Sequence, residues 1–362
     1  MRSIVLLAGA RPNYMKIFPL WREIALRRAD HFRPVIVHTG QHYDPLMNDV
    51  FFTEFGMPKP DHFLGIGSGT HGAQTGKALI ALEDLFLRER PDGLVVVGDV
   101  NSTAAGALAA VKLGIPVAHV EAGLRSGDRT MPEEINRLVT DAICDLLLTP
   151  SPDADANLLR EGIPAEKIVR VGNVMIDSLV QLLPSAQTSR VLDRWGLAPK
   201  AYIAVTLHRP NNVDDPRTLL RLLDELQYLA REWPVVFPVH PRTAKLIEQT
   251  GFRAETAALQ LVPPLGYIDF LRLQSDAALV VTDSGGVQEE TTFLGIPCLT
   301  VRPNTERPIT ITEGTNRLIN LDRESLVDAA RAALLAPPRR PVIEGWDGNA
   351  ASRIMHALER WA

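Results

Sequence analysis

Short apolar runs without polar alternation recur along the chain, each giving way to a Gly- or Ser-containing turn and then to a segment of helical spacing. SIVLL, FRPVIVH, GLVVVG, PVAHV and DLLLT occupy the first half; YIAVT, PVVFPV, ALVVT and PCLTV occupy the second. A strand covered on both faces has no reason to alternate, so this rhythm predicts parallel strands buried by crossover helices. The expected fold class is α/β, with two Rossmann-like, doubly wound domains. The rhythm loosens in GNVMIDSLVQLLPSAQTSRVLDRWGLAPK, which reads as helices and a connector between the two sheets. The boundary is placed near residue 172, giving domains 1–172 and 173–348, with residues 349–362 expected as a helix packing back on the first domain.

A length of 362 residues suits two domains, and a formal net charge of -5 argues against a nucleic-acid binder or a protein of anionic membrane surfaces. An anionic ligand then needs a local positive site. Cys144 and Cys298 both lie in apolar runs and read as buried, reduced thiols. The opening MRSIVLLAGARPNYMK has too short an apolar run for a signal peptide and reads as a first strand. No segment approaches the roughly 20 apolar residues of a membrane span. A cytoplasmic chain with no membrane or nucleic-acid partner is expected.

In doubly wound sheets, ligands bind outside the carboxyl ends of the strands. The polar groups just after the predicted strands are Arg11, Gln41, His42, Asp99, Glu121, residues 206–209, His240 and residues 283–286. If the two crevices face each other, these converge on one cleft. GSGTHG matches a dinucleotide fingerprint but lacks the opening strand such a site requires, so it reads as a loop and a helix start. There is no Walker A sequence, and no His/Cys cluster has metal-ligand spacing, so neither metal nor cofactor is expected. His119 and Glu121 form HxE without the PCxxC partner of zinc deaminases.

TDSGGVQEE is more informative. The strand ALVVT exits into Asp283-Ser284-Gly285-Gly286, where small residues at a helix start leave backbone N–H groups open to phosphate. The alternative is a Ser N-cap with a first-turn carboxylate. RPNTERP adds Arg302 and Arg307 as phosphate partners, and Glu290 is placed to reach a ribose diol. Asp99 and Glu121 follow adjacent predicted strands, and Glu133 and Glu134 open the next helix. Carboxylates gathered in a cleft raise one another's pKa and suit proton transfer. His208 in TLHRP and His240 in PVHPRT add general-acid and phosphate-donor candidates, and Arg209 stands beside the first.

Taken together, GARPNYMK, HTGQHYD, IGSGTHGAQTGK, VVGDVNST, HVEAGLRSGDRTMPEEINR, GNVMID, TLHRPNNVDDP, PVHPRT, TDSGGVQEE and NTERPITITEGT resemble the non-hydrolysing UDP-N-acetylglucosamine 2-epimerases over nearly the whole chain. The resemblance implies a fold like that of GT-B glycosyltransferases, with UDP held mainly by the C-terminal half, a homodimer, and a product that feeds surface polysaccharide biosynthesis. It implies that Arg11 and Lys16 face the diphosphate with Ser284, Gly285 and Gly286, and that Glu290 takes the ribose. Phe270 would lie near the uracil, while Arg302 and Thr305 help frame the nucleotide. Asp99, Glu121 and Glu133 match carboxylates around the sugar, with Glu134 open as an alternative to Glu133. His208 matches a histidine near the leaving group. Gln41, His42 and Gln74 match positions near a second, regulatory UDP-sugar site, but Ala73 and Asp44 depart from it, so weak or altered activation is expected.

Asn13 stands where the family's RPE motif has a carboxylate, and Asn211 where HRxEN has one, a difference that bears on which sugar is accepted. The C2 hydrogen of N-acetylglucosamine has no adjacent carbonyl. The expected route is therefore elimination of UDP to 2-acetamidoglucal, followed by protonation from the other face and re-addition. Rival readings are a hydrolysing epimerase, a UDP-sugar glycosyltransferase, a nucleotide-sugar sensor, and an epimerase for a diacetamido uronic acid.

Overall fold

The computed structural model describes residues 1–41, 54–337 and 339–361. The chain forms two compact units, Met1–Gln181 with Glu344–Ala362, and Leu182–Ile343. Among the described residues the first holds seven strands, β1 (Arg2–Ala8), β2 (Phe32–His38), β3 (His62–Phe63), β4 (Gly93–Val97), β5 (Val117–Val120), β6 (Leu146–Thr149) and β7 (Ile168–Arg170). They pair in parallel in the order β3-β2-β1-β4-β5-β6-β7. Val5 and Leu7 of β1 are buried with Leu82, Leu85 and Phe86 of the helix His71–Glu89, while Ile4 and Leu6, pointing the other way, are buried as completely. The helix Asn101–Lys112 is built of small residues, and a Cβ on Gly106 would overlap Leu7. It therefore lies close on the sheet, and its start is fixed at the end of β4.

The second unit repeats the winding with β8 (Ile203–Thr206), β9 (Val235–Pro238), β10 (Leu259–Val262), β11 (Leu279–Thr282), β12 (Cys298–Val301) and β13 (Asn316–Ile319), in the order β10-β9-β8-β11-β12-β13. Ile203, Val205, Val281 and Leu299 bury one face, and Tyr202, Ala204, Val236 and Val280 the other. In each unit the strand order reverses once, between β1 and β4 and between β8 and β11. That reversal opens the crevice where doubly wound folds place ligands.

The two compact units divide at residue 181. The helix Val174–Gln187 begins in the first unit, because Asp177 accepts the amides of Ala350 (3.0 Å) and Ala351 (2.7 Å) and Ser178 donates to the Met15 carbonyl. The helix Ala350–Arg360 is held in the same unit through these bonds and through Arg2, which donates to the carbonyls of Trp361 and Glu359 at 3.0 and 3.2 Å. Among the described residues no helix is long and apolar enough to cross a membrane.

Candidate functional site

In the first unit the ends of β1, β4 and β5 are drawn together by one buried ion pair. Lys16, on the helix Arg11–Arg27, pairs with Glu121, and both side chains are under one-tenth exposed. Glu121 follows β5 with φ of 72°, a left-handed backbone that a non-glycine residue keeps only when its surroundings enforce it. Gly98, directly after β4, has φ of 65°, a left-handed backbone that favours glycine, and a Cβ there would also crowd Lys16 Nζ at 2.6 Å. Asn13 closes the gap between β1 and β4: its Oδ1 accepts the amides of Gly9 and Ala10 at 2.9 Å, and its Nδ2 donates to the Val97 carbonyl at 3.2 Å. A carboxylate cannot make that last bond, so here the amide serves as a buried staple.

Asp99, partly exposed, pairs with the buried Arg137, which in turn holds Glu134 at 2.8 Å. Glu134 also accepts from the Ser126 amide and hydroxyl (3.0 and 3.1 Å) and the Gly127 amide (2.9 Å). Burial works against its charge, yet these amides and Arg137 hold its pKa below the usual carboxylate range. Glu133 is only half-buried and makes no hydrogen bond or ion pair among the described residues. Behind the two strand ends, the His119 ring spans Gly98 O (2.8 Å from Nε2) and Asp141 Oδ1 (2.6 Å from Nδ1). Asp141 also accepts the Gly123 amide at 3.1 Å and pairs with Arg125 at 2.7 Å. The HxE histidine thus braces the ends of β4 and β5. Among the described residues no three His, Cys, Asp or Glu groups are placed to hold a metal.

Gln41 and Gln74 engage their neighbours. Gln41 Oε1 accepts from the Ser102 hydroxyl at 2.9 Å, Gln74 donates to the Gly67 carbonyl at 3.0 Å, and Asn101 donates to Gln74 at 3.0 Å. The GSGTHG loop is thereby tied to the start of the helix Asn101–Lys112. His42 and the side chain of Arg11 lie outside the described residues.

In the second unit Asp283 organises the reversal point. Its fully buried carboxylate accepts the amides of His208 (3.1 Å) and Arg209 (2.9 Å) and the Asn212 side chain (3.0 Å), and it lies 3.0 Å from His208 Nδ1. Burial would raise its pKa, but the His208 ring, Asn212 and the Arg209 amide hold it below the usual range. Arg209 Nε donates to the Asp283 carbonyl at 3.0 Å. Ser284 stands at the N-cap of the helix Gly285–Leu294 without making a side-chain cap bond, so the alternative of an ordinary Ser cap is not what the helix start displays. A Cβ on Gly285 would meet Arg307 Nη1 at 2.5 Å and Glu306 Oε1 at 2.7 Å. Arg302 is buried, with Nη2 on Glu306 at 2.8 Å and Nη1 without a partner among the described residues, a donor that a ligand oxygen would satisfy.

Glu290 is buried, accepting from Tyr267 Oη at 2.8 Å and Gln274 Nε2 at 2.5 Å, and burial raises its pKa. Each of its oxygens keeps a lone pair for a further donor. Thr305 spends its hydroxyl internally, donating to Gln288 at 2.8 Å and accepting the Arg307 amide at 3.1 Å. Phe270 is half-buried against the apolar cluster of Tyr202, Leu273 and Val280. His240 caps the helix Pro241–Thr250, its Nδ1 accepting the Arg242 amide at 3.3 Å.

The model of the UDP-N-acetylglucosamine 2-epimerases matches residues 24–359. The chain belongs to the UDP-N-acetylglucosamine 2-epimerase family. Epimerases are isomerases, and the chain takes that enzyme class. It is 42% identical over 363 residues to the UDP-N-acetylglucosamine 2-epimerase of Methanocaldococcus jannaschii, covering 98% of each chain. It is 44% identical over 362 residues to the UDP-2,3-diacetamido-2,3-dideoxy-D-glucuronate 2-epimerase of Pseudomonas aeruginosa, covering 99% of each. The crystal structure of the M. jannaschii enzyme in complex with UDP-GlcNAc and UDP superposes with a TM-score of 0.88 at 40% identity over 99% of both chains. Asp283 stands among the strand-exit groups legible in the sequence, but the partners of its carboxylate are not, and Arg137 and Asp141 do not stand out. Arg137 had a signal, its i,i+3 spacing from Glu134; the partners of the other two lie 22 and 75 residues away.

Proposed function

We propose that the chain interconverts UDP-N-acetylglucosamine and UDP-N-acetylmannosamine without hydrolysis, by eliminating UDP to 2-acetamidoglucal and adding it back. The observation that carries the proposal is the position of Asp99 and Glu121 at neighbouring strand ends, each against a buried cation, in a chain of this family. Elimination needs a base on one face of C2, an acid on the other and a donor for the leaving phosphate. The proposal assigns the C2 protons to Asp99, Glu121 and Glu133, and the leaving group to His208. Arg11 and Lys16 would add cationic charge for the diphosphate. The nucleotide is assigned to the second unit: phosphate at Ser284, Gly285 and Gly286 with Arg302, ribose at Glu290, uracil near Phe270. Thr305 frames this site through Gln288, and Arg209 and His240 are further sugar or phosphate contacts.

A second reading rests on the equally similar diacetamido-glucuronate epimerase from P. aeruginosa, which differs at C3 and C6 of the sugar. One experiment ranks the readings. Each UDP-sugar is incubated with the protein alone in D2O, and the products are read by NMR. Deuterium at C2 of a UDP-linked manno product is expected, and the preferred sugar identifies the substrate. Free N-acetylmannosamine would indicate hydrolysis, turnover only with an acceptor would indicate a transferase, and a fully retained C2 hydrogen would exclude elimination.

A further inference from the structure

The family resemblance implies a place for His208 near the leaving group but not which of its ring nitrogens works or what holds it. The side chain is about half exposed, and its Nδ1 lies 3.0 Å from Asp283 Oδ1, while Asp283 itself is fully buried. The amides of His208 and Arg209 and the Nδ2 of Asn212 bind the same carboxylate, so it cannot turn away from the ring without leaving buried donors unpaired. A carboxylate only accepts, so the nitrogen facing it must carry hydrogen.

We propose that Asp283 is a positioning residue that fixes His208 as the Nδ1–H tautomer and presents Nε2 for proton exchange with the leaving diphosphate. In the forward step the C1–O bond breaks, a carboxylate takes the C2 proton and C1=C2 forms. A protonated Nε2 hands its hydrogen to the departing phosphate oxygen and recovers it on re-addition. Asp283→Asn would turn an amide N–H toward Nδ1 and favour the opposite tautomer, the logic by which the Asp of a Ser-His-Asp triad acts.

The catalytic arm rests on the role proposed for His208; the tautomer does not. Protein labelled with 15N-histidine, with His208 assigned from a His208→Gln sample, is examined by two-bond 1H–15N NMR above the titration of the ring. The wild type is expected to read Nδ1–H at residue 208 and Asp283→Asn to read Nε2–H. An Nε2–H ring in the wild type, or a tautomer unmoved in the variant, overturns the proposal. In turnover, Asp283→Asn should lower kcat on the order of 100-fold with KM within about threefold. The His208→Asn, Asp283→Asn double variant should be no slower than His208→Asn alone, and additive losses count against the pairing. A wild type inactive on UDP-sugars defeats the proposed function, and the tautomer still decides the role of Asp283.

Discussion

Glu133 and Glu134 are adjacent, yet one helical step turns them about 100° apart, and their surroundings separate them further. Glu134 is saturated by Ser126, Gly127 and Arg137, whereas Glu133 is half-exposed and uncommitted among the described residues. Asp99→Asn, Glu121→Gln and Glu133→Gln are each expected to lower turnover on the order of 100-fold while UDP affinity by calorimetry stays nearly intact. Glu134→Gln should instead lower unfolding free energy by about 2 kcal/mol; a variant of normal stability and lost turnover would reverse the two roles. Gly285→Val forces a Cβ into Arg307 and Glu306, so UDP affinity should fall at least tenfold on the order of a lost charged contact, and calorimetry showing unchanged affinity would remove the phosphate site from this helix start. His38 and Asp177 give a pH test with opposite signs. The His38 ring is stacked between Tyr14 and Phe63, and burial lowers its pKa to about 4; burial raises that of Asp177 to about 6. A depressed histidine contributes stability that is present above its unfolded pKa and is lost as pH falls from about 6.5 toward 4. A raised carboxyl does the reverse, its contribution being present below about 4 and lost as pH rises through 6. Denaturant unfolding between pH 7 and 4.5 should therefore show His38→Gln gaining about 2 kcal/mol on the wild type and Asp177→Asn losing a similar amount. Parallel shifts in the two variants would show that neither group titrates as its burial implies.

At the scale of elements, nine of the strands among the described residues are legible as apolar runs, and the four that are not, β3, β7, β10 and β13, are all sheet edges. An edge strand is paired on one side only and here is short and partly exposed, so it lacks the continuous apolar signature that both-face burial imposes on β1, β4 or β11. Strand exits were equally legible, because polar residues directly after a buried run stand out. Pairings across the reversal points were not: Asp283 reads as part of a helix start until the fold brings it beneath His208, and Asn13 reads as a lost carboxylate until Val97 is seen to need a donor. Ownership of the first turns of the helix Val174–Gln187 is illegible for a related reason, since only the tertiary bonds of Asp177 and Ser178 tie them to the first unit. Those bonds also make the helix Ala350–Arg360 integral to the first unit, where Ile354, Met355 and Leu358 are buried and Trp346 Nε1 donates to the Pro150 carbonyl at 3.0 Å. Truncation after Ile343 should therefore lower the melting temperature of the first unit and speed its proteolysis, while residues 182–343 persist as a resistant fragment. An unchanged melting profile by circular dichroism would show the helix to be an appendage.

At the scale of the whole molecule, the homodimer implied by family resemblance has a candidate surface in the first unit. The neighbouring helices His71–Glu89, Asn101–Lys112 and Pro132–Ile143 turn Ile80, Leu87, Val111, Ile135 and Val139 outward, with Ile80 and Leu87 more than half exposed. Ile80 and Leu87 are seven residues apart and Ile135 and Val139 four, so each pair lies along one helix face. Scattered single apolar residues are ordinary on a protein surface, but aligned pairs on adjacent helices mark a face that gains by being covered. A twofold dimer would pair this face with itself and remove the same residues of both copies from water. A stable interface needs about 800 Å² from each partner, more than these five side chains supply, so the flanking polar residues of the three helices must join it. Light scattering after size exclusion is expected to give the mass of two chains, and the double variant Ile80→Asp, Leu87→Lys to give one, with each monomer still folded by circular dichroism. A double variant that remains dimeric would move the interface off these helices. A wild type that runs as a monomer at micromolar concentration would remove the dimer itself.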